Sequence, residues 1–108
     1  MMSEEEKMEE SREAMSLSLQ LSDDLEVVEA YNTALVRNKS RLKGKIAIEV
    51  ECGCAWLSML AVRVAELDKV FAIESNEHSA KIAAEIVKKN KLDSKGKGFF
   101  LFLNQDRG

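Results

Sequence analysis

The spacing of apolar positions changes character several times along this chain, and each change predicts an element. From Ser22 onward, Leu25, Val28, Tyr31 and Leu35 recur at helical spacing with Val27, Ala30 and Ala34 beside them, which predicts an amphipathic helix to about Asn38. Ser22 or Asp23 is expected to cap its start, and Asp23, Asp24 and Glu26 suit the positive end of the helix dipole. Gly44 marks a turn. Ile46, Ile48 and Val50 are then β-branched with no charge before Glu49, which predicts a strand covered on both faces, as in a parallel sheet. After the short loop from Glu51 to Ala55, the segment Trp56 to Leu67 is apolar nearly all round and predicts a helix buried between layers. Lys69 to Glu74 predicts a second buried strand. Ser75 or Asn76 caps the helix that follows, carried by Ala80, Ala83, Ala84 and Val87 with Ile82 and Ile86 alongside, to about Asn90. Gly96 and Gly98 turn the chain into Phe99 to Leu103, a candidate third strand.

A helix followed by this β-α-β-α-β order predicts the α/β class and the first half of a doubly wound sheet, with about three parallel strands and flanking helices. In such a unit a glycine-containing first turn and an acid closing the second strand hold the ribose of a nucleoside-like ligand. Gly53 is the glycine and Glu74 the acid, with Glu49, Glu51, Cys52 and Ser75 around them as candidate ligand-binding positions. The bland alternatives are a structural turn at Gly53 and a solvated strand-end acid at Glu74. Cys52 and Cys54 fit two small buried thiols better than a metal site, because a closed zinc site needs four ligands and His78 is the one histidine. Trp56, at the head of an apolar helix, is expected in the core. His78 lies in the first turn of the helix that follows Asn76, and no catalytic residue is assigned.

Composition narrows the classes. A chain of 108 residues, 45% hydrophobic and 32% charged, has room for one small domain. Net charge of -3 with scattered basic residues gives no footprint for nucleic acid. No apolar run approaches the roughly 20 residues that span a bilayer, and the N-terminus is acidic where a signal peptide is basic. With two cysteines and no disulfide framework, the expectation is an intracellular protein, cytoplasmic or nuclear. Residues 1–21, dense in glutamate with Met8 and Met15 as a weak stripe, are expected to form a flexible acidic arm, and residues 22–108 the domain.

The stretch from about Tyr31 to Asp93 resembles the start of the cofactor-binding domain of protein arginine N-methyltransferases. The family has a tyrosine, an Asn-Lys pair and a strand-ending acid in a register that Tyr31, Asn38, Lys39 and Glu49 match. Its motif V-L-D-x-G-x-G-x-G-x-L-S-M is similar to Ile46 through Met59, with Gly53 and Leu57-Ser58-Met59 in place. Phe71 to Glu74 resembles its second strand, and Ala84 to Asp93 the helix and turn that follow. The resemblance implies S-adenosylmethionine as cofactor, a methyltransferase fold, and an arginine-bearing protein as substrate of a complete enzyme. The departures are specific. Glu51 and Ala55 take two of the three motif glycines, Glu49 replaces aspartate, and Val27 stands where the family carries an arginine for the cofactor carboxylate. The paired glutamates that hold the guanidinium lie beyond the matched stretch, and a short insertion spans Lys95 to Gly98. The expected function is therefore an S-adenosylmethionine-binding portion, truncated or degenerate and inactive alone. The alternative is a non-catalytic interaction module that pairs through an open sheet edge. In the family's strand order the first strand is central, so the resemblance also implies an exposed edge and patch at Ile46, Ile48 and Val50, and with it self-association.

Overall fold

The computed structural model of the protein describes residues 1–10, 12, 23–93 and 98–103. Residues 4–10 are helical (α1), and Ser3 with Glu6 closes a reciprocal cap: the Glu6 N–H donates to Ser3 Oγ at 3.1 Å and the Ser3 N–H to Glu6 Oε1 at 3.4 Å. Then come α2 (Leu25–Arg37), a single turn α3 (Lys39–Leu42), β1 (Ile46–Val50), α4 (Trp56–Ala65), β2 (Lys69–Glu74), α5 (Glu77–Lys89) and β3 (Gly98–Leu103). This is the predicted α/β order. The expected cap of α2 shifts by one or two residues, because Asp24 Oδ1 accepts from the Glu26 N–H at 3.1 Å and the Val27 N–H at 3.3 Å. An aspartate in that position satisfies two otherwise orphaned donors. Asp24→Ala is expected to cost about 1 kcal/mol in a denaturant melt, whereas Asp23→Ala stays within about 0.5 kcal/mol.

The three strands are parallel in the order β1-β2-β3, with Ile48 opposite Phe71 and Phe71 opposite Phe100. Both crossovers step the same way across the sheet, and parallel crossovers keep one hand, so α4 and α5 cover the same face. Val70 and Ala72 of β2 are buried on that face with Ala65, Ala83 and Val87, and Ala47 of β1 packs against the same cluster. The opposite face is open. Ile46, Ile48 and Val50 are 59%, 67% and 69% exposed, which overturns the expectation of a strand covered on both faces. A run of β-branched residues reports that a strand could be buried, while topology decides how many layers meet it. The exposed patch implied by the resemblance is present at those three residues.

α4 is likewise less enclosed than its composition suggests. It packs against α2 and the sheet, but only Ser58 and Ala65 in it are buried, and Arg63 reaches across to Asn90 at the end of α5, 3.4 Å from the carbonyl and 3.3 Å from Oδ1. Trp56 sits half-buried edge-on to Tyr31 of α2, with ring centroids 5.7 Å apart. At the lower end of the sheet the Gly44 N–H donates to the Glu66 carbonyl and the Asp68 N–H to the Lys45 carbonyl, which fixes where β1 and β2 start. No helix of the described residues is long and apolar enough to cross a membrane.

Candidate functional site

The carboxyl ends of β1 and β2 meet at the loop Glu51 to Ala55, and the pairing carries on past the strands, since the Cys52 N–H donates to the Ile73 carbonyl at 3.1 Å. Three residues of this loop have left-handed backbone: Glu51 at φ 56°, Gly53 at 57° and Ala55 at 66°. That conformation is natural to glycine and strained for residues with a Cβ. The alternating positions 51, 53 and 55 thus share a glycine conformation although only the middle one is glycine.

Glu74, the last residue of β2, is 2% exposed. Its Oε1 accepts from the Gly53 N–H at 3.1 Å and its Oε2 from the Asn76 N–H at 3.0 Å, so each oxygen holds one backbone donor from a different loop. Burial pushes its carboxyl above the usual value and the two N–H bonds oppose that, while the adjacent Glu51 carboxyl, as a like charge and a hydrogen-bond partner, adds to the rise. Glu51 is itself exposed and accepts from Ser75 Oγ at 2.7 Å. Glu74, Glu51, Gly53 and Ser75 are therefore gathered into one cluster, with the Glu51 side chain laid against the acid.

The remaining candidates are near this cluster but turned elsewhere. Glu49 accepts from Ser58 Oγ in the first turn of α4, and its carboxyl is raised chiefly by burial. Cys52 and Cys54 are buried as the sequence suggests, each 4% exposed. Burial, followed by the charges of Glu49 and Glu74, pushes the Cys52 thiol up to about 12, so it is a packing group and a poor nucleophile at neutral pH. Among the described residues no group of three or more metal-ligating side chains comes together.

Two participants escaped the sequence reading. Ser58, matched to the family motif within Leu57-Ser58-Met59, anchors Glu49, a role that the motif match alone did not assign. Asn76 binds Glu74 through its backbone, caps α5 through Oδ1 to the Ser79 N–H at 3.1 Å, and donates from Nδ2 to the Lys7 carbonyl at 2.7 Å. Its capping role was legible, but its link to α1 was not. Glu4 adds a contact from the same segment, 3.5 Å from His78 Nε2. The acidic segment is thus seated on the start of α5 beside the cluster.

Ala55→Gly weighs strain against packing at this loop. Relief of the left-handed backbone favours glycine by about 1 kcal/mol, and loss of a fully buried methyl group costs about 0.8 kcal/mol, so a urea melt is expected to place the variant within about 0.5 kcal/mol of the parent.

Comparison with known proteins places this arrangement. Over 72 residues the chain is 40% identical to "Probable protein arginine N-methyltransferase 3" of Arabidopsis thaliana, covering 67% of this chain and 12% of that protein. The chain is related to the protein arginine N-methyltransferases. A Trypanosoma brucei arginine methyltransferase of this family, solved as an enzyme-prozyme heterotetrameric complex with AdoHcy, superposes with a TM-score of 0.69 at 28% identity, over 81% of this chain and 26% of that one. The crystal structure of a second arginine methyltransferase, PRMT6, has a TM-score of 0.73 at 22% identity, over 85% of this chain and 25% of its own, and shares the fold. No family model matches the chain. It spans between 12% and 19% of the length of the curated arginine methyltransferases it matches.

Proposed function

We propose that the chain is the S-adenosylmethionine-binding portion of a protein arginine N-methyltransferase-like protein, with residues 22–108 as a partial cofactor domain. The observation that carries this is the glycine-type backbone at Glu51, Gly53 and Ala55 facing a buried acid at the end of β2. Gly53 and Glu74 fit a ribose diol, since the acid keeps acceptor capacity on both oxygens beyond its two N–H bonds. Glu51 does not fit. Its carboxyl occupies the approach to Glu74 and adds negative charge to it. The bound cofactor supplies the methyl group in this family; this chain's part is to hold and orient it. Binding is therefore expected to be weak and to depend on Glu74. Calorimetry with S-adenosylmethionine tests the reading: dissociation above roughly 100 µM that weakens further in Glu74→Ala supports it, and micromolar binding indifferent to Glu74→Ala overturns it.

Methyl transfer to protein arginine is not expected from the 108 residues alone. The acids of the described site are committed, Glu74 to backbone donors, Glu49 to Ser58 and Glu51 to Ser75, and polarising a guanidinium requires carboxylates placed on it. Labelled methyl transfer to an arginine-rich peptide above a no-protein control contradicts this. Two buried thiols, Cys52 and Cys54, support a reducing compartment, cytoplasmic or nuclear. A second reading, an interaction module, is favoured by one observation, the uncovered apolar face of β1.

A further inference from the structure

Basic residues that are scattered along the sequence meet at one end of the fold. Parallel strands joined by crossover helices bring the strand starts and the crossover-helix ends to the same side. Arg37, Lys39, Arg41, Lys43 and Lys45 run from the last turn of α2 through α3 to the foot of β1, and all five are exposed. Hydrogen bonds tie this run to its neighbours: the Gly44 N–H donates to the Glu66 carbonyl at 3.0 Å, the Asp68 N–H to the Lys45 carbonyl at 2.8 Å, and Arg63 reaches Asn90. Lys69 starts β2 here, and Lys88, Lys89 and Lys91 are exposed at the end of α5. The acids of this end, Glu66, Asp68, Glu85 and Asp93, are outnumbered. Glu66 holds Lys39 at 2.9 Å and Lys43 at 3.8 Å, while Arg37, Arg41, Lys45, Lys88, Lys89 and Lys91 form no ion pair among the described residues. Because the whole chain has a net charge of -3, the far end, with Glu51, Glu74, Glu77 and the acidic α1, carries the negative excess. The average composition conceals this separation of charge.

We propose that this basic end binds the phosphate backbone of nucleic acid without reading its sequence. The form of the patch selects that partner. Its cations are exposed and mostly lysines, which act as mobile point charges and lack the rigid fork that arginine offers a carboxylate. Exposed lysines gain little from single ion pairs with the sparse charges of an acidic peptide, since two flexible side chains must be fixed in water for each pair. A nucleic acid duplex carries about one charge per 1.7 Å of axis under a condensed counterion layer, and each phosphate neutralised releases counterions. That gain needs density of charge and no fixed side-chain geometry, which is what several cations from α2, α3, α5 and two strand starts provide. The acidic far end is repelled by the same polyanion, so the chain docks in one orientation, with Glu74 facing away. Nucleic acid and a ligand at Glu74 therefore bind without competing.

Fluorescence anisotropy of a labelled DNA duplex of about 20 base pairs, titrated with the 108-residue chain at about 50 to 100 mM salt, tests this. Dissociation on the order of 10 µM at the lower salt is expected, weakening with a log–log slope of about -3 to -4, as for about four phosphate contacts. Arg41→Glu with Lys45→Glu, or Lys88→Glu with Lys89→Glu, should weaken binding at least tenfold and flatten the slope. Lys7→Glu with Lys81→Glu makes the same change of net charge away from the patch and should stay within about threefold of the parent. Equal weakening in that control overturns the proposal, as does binding that ignores salt or no binding at the lower salt. Displacement of the duplex by an equal charge of polyglutamate overturns it in favour of an acidic protein partner. Should a reversal variant lose its circular dichroism, amide shifts of the parent on adding the duplex take its place. Changes centred on residues 37–45 and 88–91 support the patch, and changes centred on α1 or the loop Glu51 to Ala55 overturn it.

Discussion

Glu51→Gly is expected to raise the affinity for S-adenosylmethionine at least tenfold and to raise stability by about 1 kcal/mol in the same step. Two separate physical effects converge on this residue. Its backbone is left-handed at φ 56°, where a side chain is strained and glycine is not. Its carboxyl lies against Glu74, the acid that would grip a ribose, and accepts from Ser75 Oγ. The lost Ser75 bond is exposed to competing water, so it offsets only part of the gain. Glu51→Gln separates charge from bulk: it keeps the strain and the side chain but removes the like charge, so its affinity should fall between parent and glycine variant. Calorimetry for binding and urea melts for stability check both halves. Unchanged affinity in a stabilised Glu51→Gly protein would mean that Glu51 is strained yet obstructs nothing.

The order of elements was legible because each is announced by its own local pattern. β2 ends at Glu74 and α5 begins after Asn76, where a continuous apolar run gives way to alanines at helical spacing. What failed was information that no local window holds. The apolar run of β1 says nothing about whether both crossover helices fall on one face, and that decides the exposure of Ile48. The cap at Asp24 rather than Ser22 or Asp23 is a choice among neighbours of nearly equal propensity. At the site, the positions of Gly53 and Glu74 could be predicted from the β-α-β frame. The left-handed backbone at Glu51 and Ala55 could not, since their residue types argue against it. It became visible only beside the family motif, whose glycines sit at the same alternating positions.

Stability is expected to fall as the pH rises above 4.5, because the site carries carboxyls that fold into surroundings unfavourable to their charge. Glu74 and Glu49 are both raised from 4.5, each chiefly by burial. The sign follows from which state holds the proton. Above pH 4.5 the unfolded chain releases these protons while the folded chain still keeps them. The native state then binds more protons, and unfolding becomes easier with each step in pH until the folded values are passed. The favourable contribution is fully present below the unfolded value and is gone above the folded ones. Cys52, raised from 9.0 to about 12, extends the same trend at alkaline pH. Thermal melts at about pH 5, 6.5 and 8, at fixed ionic strength and fixed protein concentration, should show the midpoint dropping. Glu74→Gln removes one titrating group and should flatten the profile. Glu51→Gly should flatten it partly, since it withdraws the like charge and the hydrogen bond that help to raise Glu74. A midpoint that climbs with pH would show that the Gly53 and Asn76 N–H bonds outweigh burial, in which case Glu74 is held as a carboxylate and is already set to accept a diol.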